Sequence, residues 1–185
     1  MQTTAFAGDA TGFKKAGVRG TTMLMVAAWL IPFGIHLIPW NGSAPLGAHL
    51  LPMFWATFVA VYLYGAGVGL VVGLFAPMLN LAVTGFPAWK FLSVLSFELV
   101  IFALVTAWLT RRARTLWIGA PLGYLVAKLG STGLQGFAQV FGDIGAPGAF
   151  LIRSIRTAWV GLIVLAVIHF ALTRFDRPSP DWDQQ

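Results

Sequence analysis

With 185 residues, 58% of them hydrophobic and 10% charged, and a mean hydropathy of +0.80, the chain lies far from the roughly 25% charged composition of a soluble domain. Its 12 Lys and Arg outnumber its 6 Asp and Glu, but the basic residues collect at the ends of apolar runs rather than on one face, which argues for membrane topology and against nucleic-acid binding. The absence of cysteine excludes disulfides, thiolate metal ligands and a thiol nucleophile, and leaves the redox compartment open.

The chain opens on a polar segment, MQTTAFAGDATGFKKAGVRG, and the apolar run behind it lacks a small-residue cleavage pattern, so no removable signal peptide is expected. Six apolar stretches then follow, at 21–40, 46–64, 66–84, 91–110, 116–137 and 149–173, separated by the turn-forming clusters NGSAPLG, YGAG, TGFPAW, RRAR and FGDIGAPG. The pattern predicts an all-α integral membrane protein with a six-helix transmembrane domain over 21–175. A cytoplasmic N-terminal segment at 1–20 and a short cytoplasmic tail at 176–185 flank it. Threading the spans puts Lys14, Lys15, Arg19, Arg111, Arg112, Arg114, Arg174 and Arg177 on one side and Lys90 on the other. The positive-inside tendency therefore predicts a multi-pass protein of the cell (inner, cytoplasmic) membrane with both termini in the cytoplasm.

Within the spans, Gly65, Gly67, Gly69 and Gly73, and Gly119 with Gly123, have the spacing that lets helix backbones approach closely. Pro32, Pro52, Pro77 and Pro121 are expected to kink their helices. No internal repeat is visible, so an inverted-repeat transporter is not supported.

Charged side chains are costly in hydrocarbon, which makes Glu98 the first functional candidate. At 1.5 Å per helical residue, Glu98 lies roughly 10 Å inside the outer end of the fourth span, Lys128 roughly 14 Å inside the fifth and Arg156 roughly 10 Å inside the sixth. Arg153 is one turn shallower than Arg156. Asn80, His36, His49, Ser131, Gln135 and Gln139 also fall in the outer half. The inner half offers little beyond Thr106, Tyr62, Tyr64 and Tyr124, and His169 near the inner end carries no expected role. Polar groups converging on one leaflet predict a pocket open to the outside rather than a pore. Candidate ligand-binding residues are therefore Glu98, Arg156, Lys128, Asn80, Arg153, Gln135, His36 and His49.

Each has a structural alternative. Glu98 and Lys128 can neutralise one another as a purely structural pair. Arg153 and Arg156 can extend to lipid headgroups from a helix end. His36 and His49 have no carboxylate or thiolate at ligand spacing, so no metal site is expected. The tryptophans mostly suit the interfacial belts, with Trp29 and Trp55 the exceptions. The chain carries no HExxH, GxSxG, P-loop or GxGxxG motif, so neither catalysis, nor a cofactor, nor ATP hydrolysis by this chain is expected.

The run LPMFWATFVAVYLYGAGVGLVVGLFAPMLNLAVTGFPAW, followed by FELVIFALVTAWLTRR, resembles the substrate-binding membrane subunit, or S component, of energy-coupling factor (ECF) vitamin transporters. The features that carry the resemblance are Pro52 near the start of the second span, the Gly65 to Gly69 turn opening the third, Thr84 to Pro87 before the fourth, Glu98 within it, and the basic run Arg111 to Arg114 after it. It covers about 65 residues closely, and the six-span layout extends it to the whole chain.

The resemblance implies a capture subunit for a vitamin or related micronutrient. The ligand would be held in the outer half by the loops after the first, third and fifth spans and by the last three helices. It also implies an ECF coupling subunit and two ATPases as partners. One departure bears on this: the family docks through an Ala-xxx-Ala motif on the first helix, whereas here Ala27 is followed four residues later by Ile31 and Ala28 by Pro32. Docking to a shared module and working as a solitary S component both stay open. Two arginines and a lysine favour an anionic group on the ligand, and aromatic and glycine residues leave room for a large one. Cobalamin ranks slightly ahead of biotin, with His36 or His49 as candidate axial ligands to cobalt. The rival class is a non-transporting membrane scaffold or assembly subunit whose polar outer half binds a partner helix.

Overall fold

A computed structural model describes residues 18–42, 44–85, 88–113, 116–138 and 146–175. Among them run seven helices and no strand: α1 (Val18–His36), α2 (Leu46–Leu50), α3 (Pro52–Tyr64), α4 (Ala66–Thr84), α5 (Trp89–Arg112), α6 (Gly119–Ala138) and α7 (Pro147–Phe175). The expected N-terminal segment, C-terminal tail and fifth loop, with Lys14, Lys15, Arg114, Gln139 and Arg177, lie outside the described residues or nearly so, and only 18–20 of the N-terminal segment are described.

α2 and α3 form one rod interrupted at Leu51, so six rods correspond to the six expected apolar stretches. Four segments are long and apolar enough to cross a membrane: Leu46–Tyr64, Ala66–Thr84, Phe91–Arg112 and Pro147–Arg174. Of the other two, α1 carries an apolar helical stretch at Met25–Ile35 among the described residues, and α6 is made more polar by Lys128, Ser131, Thr132 and Gln135 among four further glycines after its first residue. The helix expected to continue to residue 40 ends at His36. Beyond it the backbone turns, and the Trp40 indole N–H donates to the Ala44 carbonyl at 2.8 Å.

Two of the four prolines do not sit in helix interiors. Pro52 is the first residue of α3 and Pro121 lies in the first turn of α6, where a missing N–H interrupts no helical bond. Pro32 and Pro77 are internal to α1 and α4. Of the glycines singled out for close packing, Gly123 meets the seam between α5 and α6: a Cβ there would lie 2.5 Å from Thr106 Cγ2. Gly67 faces open space.

α3 is the central rod, packing on α1, α4, α5 and α7, and most of its residues are buried. Its Phe54 stands edge-on to Phe102 of α5 at 5.1 Å and to Tyr124 of α6 at 5.0 Å. Such aromatic pairs fill the space between three rods while meeting edge to face. Contacts at the helix ends show the rods alternating in direction. Gly20 of α1 faces Tyr64 of α3, Tyr62 of α3 meets His169 of α7 at 6.0 Å, and Gly119 of α6 faces both His169 and Leu109 of α5. This shared end carries Arg111, Arg112 and Arg174 in the last turns of α5 and α7, and is called the basic end below. The opposite end holds the starts of α2, α5 and α7.

Candidate functional site

The interruption between α2 and α3 is built from one strained residue and one close approach. Leu51 adopts φ 56 and ψ 41, the left-handed region, and is the single non-glycine residue with positive φ among the described residues. A helical conformation is disfavoured for the residue before proline, and Pro52 enforces that here. Leu51 closes α2 by donating its N–H to the Gly47 carbonyl at 3.0 Å, and its own carbonyl accepts from Phe54 at 3.0 Å and Trp55 at 3.3 Å. α7 covers the break. A Cβ on Gly161 would lie 2.6 Å from Leu51 Cγ, 2.8 Å from the His49 carbonyl oxygen and 2.9 Å from the Leu50 carbonyl carbon. Only glycine lets the α7 backbone approach this closely.

Inside the bundle, toward the end opposite the basic one, Glu98 of α5 meets Lys128 and Ser131 of α6. Lys128 Nζ lies 2.9 Å from Glu98 Oε1 and 2.7 Å from Oε2, and the Ser131 hydroxyl donates to Oε1 at 2.7 Å. The carboxylate is 1% exposed and the lysine 12%. Two aromatic rings flank the ammonium, Phe150 of α7 at 5.1 Å and Tyr124 at 5.7 Å from ring centroid to Nζ. Both carboxylate oxygens are thus satisfied, and the lysine's residual charge faces ring surfaces that attract cations. Spacings of four, three and four residues put Tyr124, Lys128, Ser131 and Gln135 on one face of α6. Gln135 is buried one turn beyond Ser131.

His49, Arg153 and Arg156 come together elsewhere. With Ala149, Ile152 and Thr157 they line an open cleft of about 560 Å³ between α2 and α7. His49 also meets Trp40 edge-on at 5.6 Å. Both arginines are exposed, whereas Phe150 and Ala158, which face the bundle from the same stretch of α7, are buried. The single pocket expected from residue depth is thus two groups: an internal ion pair among α5, α6 and α7, and a surface cleft on α7. Asn80 is fully buried on α4, and its carbonyl accepts from the Thr84 hydroxyl at 2.7 Å. The side chain of His36 lies outside the described residues. Among the described residues no three His, Cys, Asp or Glu side chains cluster in a way that could hold a metal ion.

The residue that depth and spacing missed is His169. It is 1% exposed, its Nδ1 accepts the Ala120 N–H at 3.2 Å, and its ring packs on Phe58 at 4.7 Å. The α6 helix thereby gains a side-chain acceptor for an N–H that its own turn cannot satisfy. Because Nδ1 accepts, the ring proton is on Nε2, which is buried without a partner. The indole N–H groups of Trp29 and Trp55 are buried and unpartnered as well, so neither tryptophan behaves as an interfacial anchor with a wet polar edge.

Compared with known proteins, the chain matches no protein-family model, no curated protein and no solved structure.

Proposed function

We propose that this chain is a membrane-embedded capture subunit for a vitamin or related micronutrient, of the kind represented by the S components of ECF transporters, with all six rods spanning the membrane and the basic end in the cytoplasm. The observation that carries the reading is the Glu98–Lys128–Ser131 network. An ion pair is expensive to place inside a bilayer and weak as a means of stabilisation, so its presence toward one end of an apolar bundle marks a functional site.

The ligand would enter from the end opposite the basic one, over Lys128, Gln135 and Phe150. The ammonium of Lys128 supplies the charge for an anionic group, and Glu98 holds that ammonium in place while no ligand is bound. Residues 86–87 and 139–145, in loops that the reading assigns to closing the site, lie outside the described residues. Cobalamin is the first ligand to test and biotin the second. Coupling to a module with two ATPases and solitary operation remain equally consistent with α1, whose Ala28 is buried against α3 and α4.

Mass spectrometry of the full chain, purified gently from its membrane, tests the reading. A capture subunit yields a stoichiometric small molecule that the matching vitamin displaces. A scaffold subunit, in which the ion pair serves only to fix helix register, yields none and responds to no vitamin.

A further inference from the structure

The cleft on α7 is on the outer surface of the bundle and does not belong to the proposed capture site. Below Arg156, the exposed face of α7 continues through Trp159, Ile163, Val167 and Phe170, each between 54% and 60% exposed, with Ile152 above it at 62%. Spacings of three and four residues make these a single stripe along the helix, and an apolar stripe of this kind in a membrane faces acyl chains.

The length of α7 sets the depth of its arginines. At 29 residues it is about 43 Å long, whereas a hydrocarbon core is about 30 Å thick and needs about 20 residues. Counting about 20 residues back from Arg174, at the basic end, reaches Ser154. Arg153 and Arg156 therefore bracket the far hydrocarbon boundary, where lipid phosphates lie. They are three residues apart on one helix face, and among the described residues neither has an ion-pair or hydrogen-bond partner. Among the described residues, none that lines the cleft is acidic. Thr157 and His49 add polar groups beside the two guanidinium groups.

We infer that the α2–α7 cleft is a binding site for the headgroup of an anionic phospholipid. Arg153 and Arg156 hold its phosphate and the Trp159-to-Phe170 stripe holds its acyl chains. Guanidinium forks match phosphate oxygens in pairs, and the apolar stripe directly beneath them distinguishes a lipid from a soluble phosphate. Such a lipid would also cover the Gly161 contact and brace the Leu51 break from the membrane side.

Native mass spectrometry of the full chain, released from nanodiscs containing equal amounts of phosphatidylglycerol and phosphatidylcholine, tests this. The wild type is expected to retain phosphatidylglycerol preferentially. Arg153→Gln/Arg156→Gln should lower that preference about tenfold, as the loss of charge-assisted bonds implies, with an unchanged melting temperature since both side chains are exposed. Arg111→Gln/Arg112→Gln, the same charge change at the basic end, should leave it intact. Undiminished preference in the Arg153/Arg156 variant overturns the inference. So does an equal fall in the Arg111/Arg112 variant, which would make net charge the selector. Displacement of the retained lipid by soluble glycerol phosphate would also overturn it, by showing a site for free phosphate.

Discussion

Lys128 reaches both carboxylate oxygens of Glu98, at 2.9 and 2.7 Å, across the seam between α5 and α6. Removing one partner leaves the other buried and unpaired, so Glu98→Gln and Lys128→Met should each lower stability by about 3 kcal/mol. Ser131→Ala, which removes one hydrogen bond to the carboxylate, should cost about 1.5 to 3 kcal/mol. The double variant Glu98→Met/Lys128→Met should recover most of the loss, because neither charge then remains. Thermal or denaturant unfolding in detergent checks the cycle. Additive losses in the double variant would show that the two side chains do not act as a pair.

Gly161 gives the second expectation. Gly161→Ala puts a methyl group within 2.9 Å of the Leu50 backbone, and backbone cannot move aside as a side-chain tip can. The substitution should therefore destabilise by about 1 to 3 kcal/mol through overpacking, even though alanine is the better helix former by about 1 kcal/mol. An unfolding midpoint equal to or above that of the wild type would mean that α7 does not press on the break.

Nearer the basic end of α7, His169→Phe keeps an aromatic ring beside Phe58 but removes the acceptor for the Ala120 N–H. A buried donor left unsatisfied costs about 1 to 3 kcal/mol. The loss should be local, so hydrogen exchange at Ala120 should speed up more than exchange in the middle of α6. Uniform acceleration along α6 would assign His169 a general packing role.

These sites differ in how far they could be read from the chain alone. The stretches at 46–64 and 66–84 coincide with Leu46–Tyr64 and Ala66–Thr84 because Gly65, at φ 88, supplies a turn with a compositional signature. Glu98 and Lys128 were legible because charge is rare in apolar spans and demands a partner. Pro52 signalled a break, but nothing in the local sequence marks Leu51 as left-handed, since leucine has no preference for that region. His169 was illegible for another reason: its partner is a backbone N–H 49 residues away. The arginines on α7 were legible as charges in an apolar span but not in the side of the helix they take, because a membrane helix is apolar toward both lipid and core, and depth does not encode azimuth.

Orientation is open to direct labelling. With the basic end in the cytoplasm, Asn41→Cys, in the exposed turn after α1, should react with impermeant thiol reagents in intact cells. Thr22→Cys, exposed near the start of α1, should react only after lysis. The natural chain has no cysteine, so no background competes. Reaction at Thr22→Cys in intact cells would invert the topology and put the Glu98 end of the bundle in the cytoplasm.

The proposal that a micronutrient binds over the Glu98–Lys128 pair meets its most direct test in titrations of the purified chain with cobalamin and biotin. Tryptophan fluorescence and calorimetry would be followed for the wild type and for Glu98→Met/Lys128→Met in nanodiscs. The proposed site requires saturable binding of one vitamin by the wild type and a loss of at least about tenfold in affinity in the folded double variant, the scale set by one charge-assisted contact. Equal affinity in both proteins, or no saturation by either vitamin together with a chain that purifies without a bound small molecule, would contradict it.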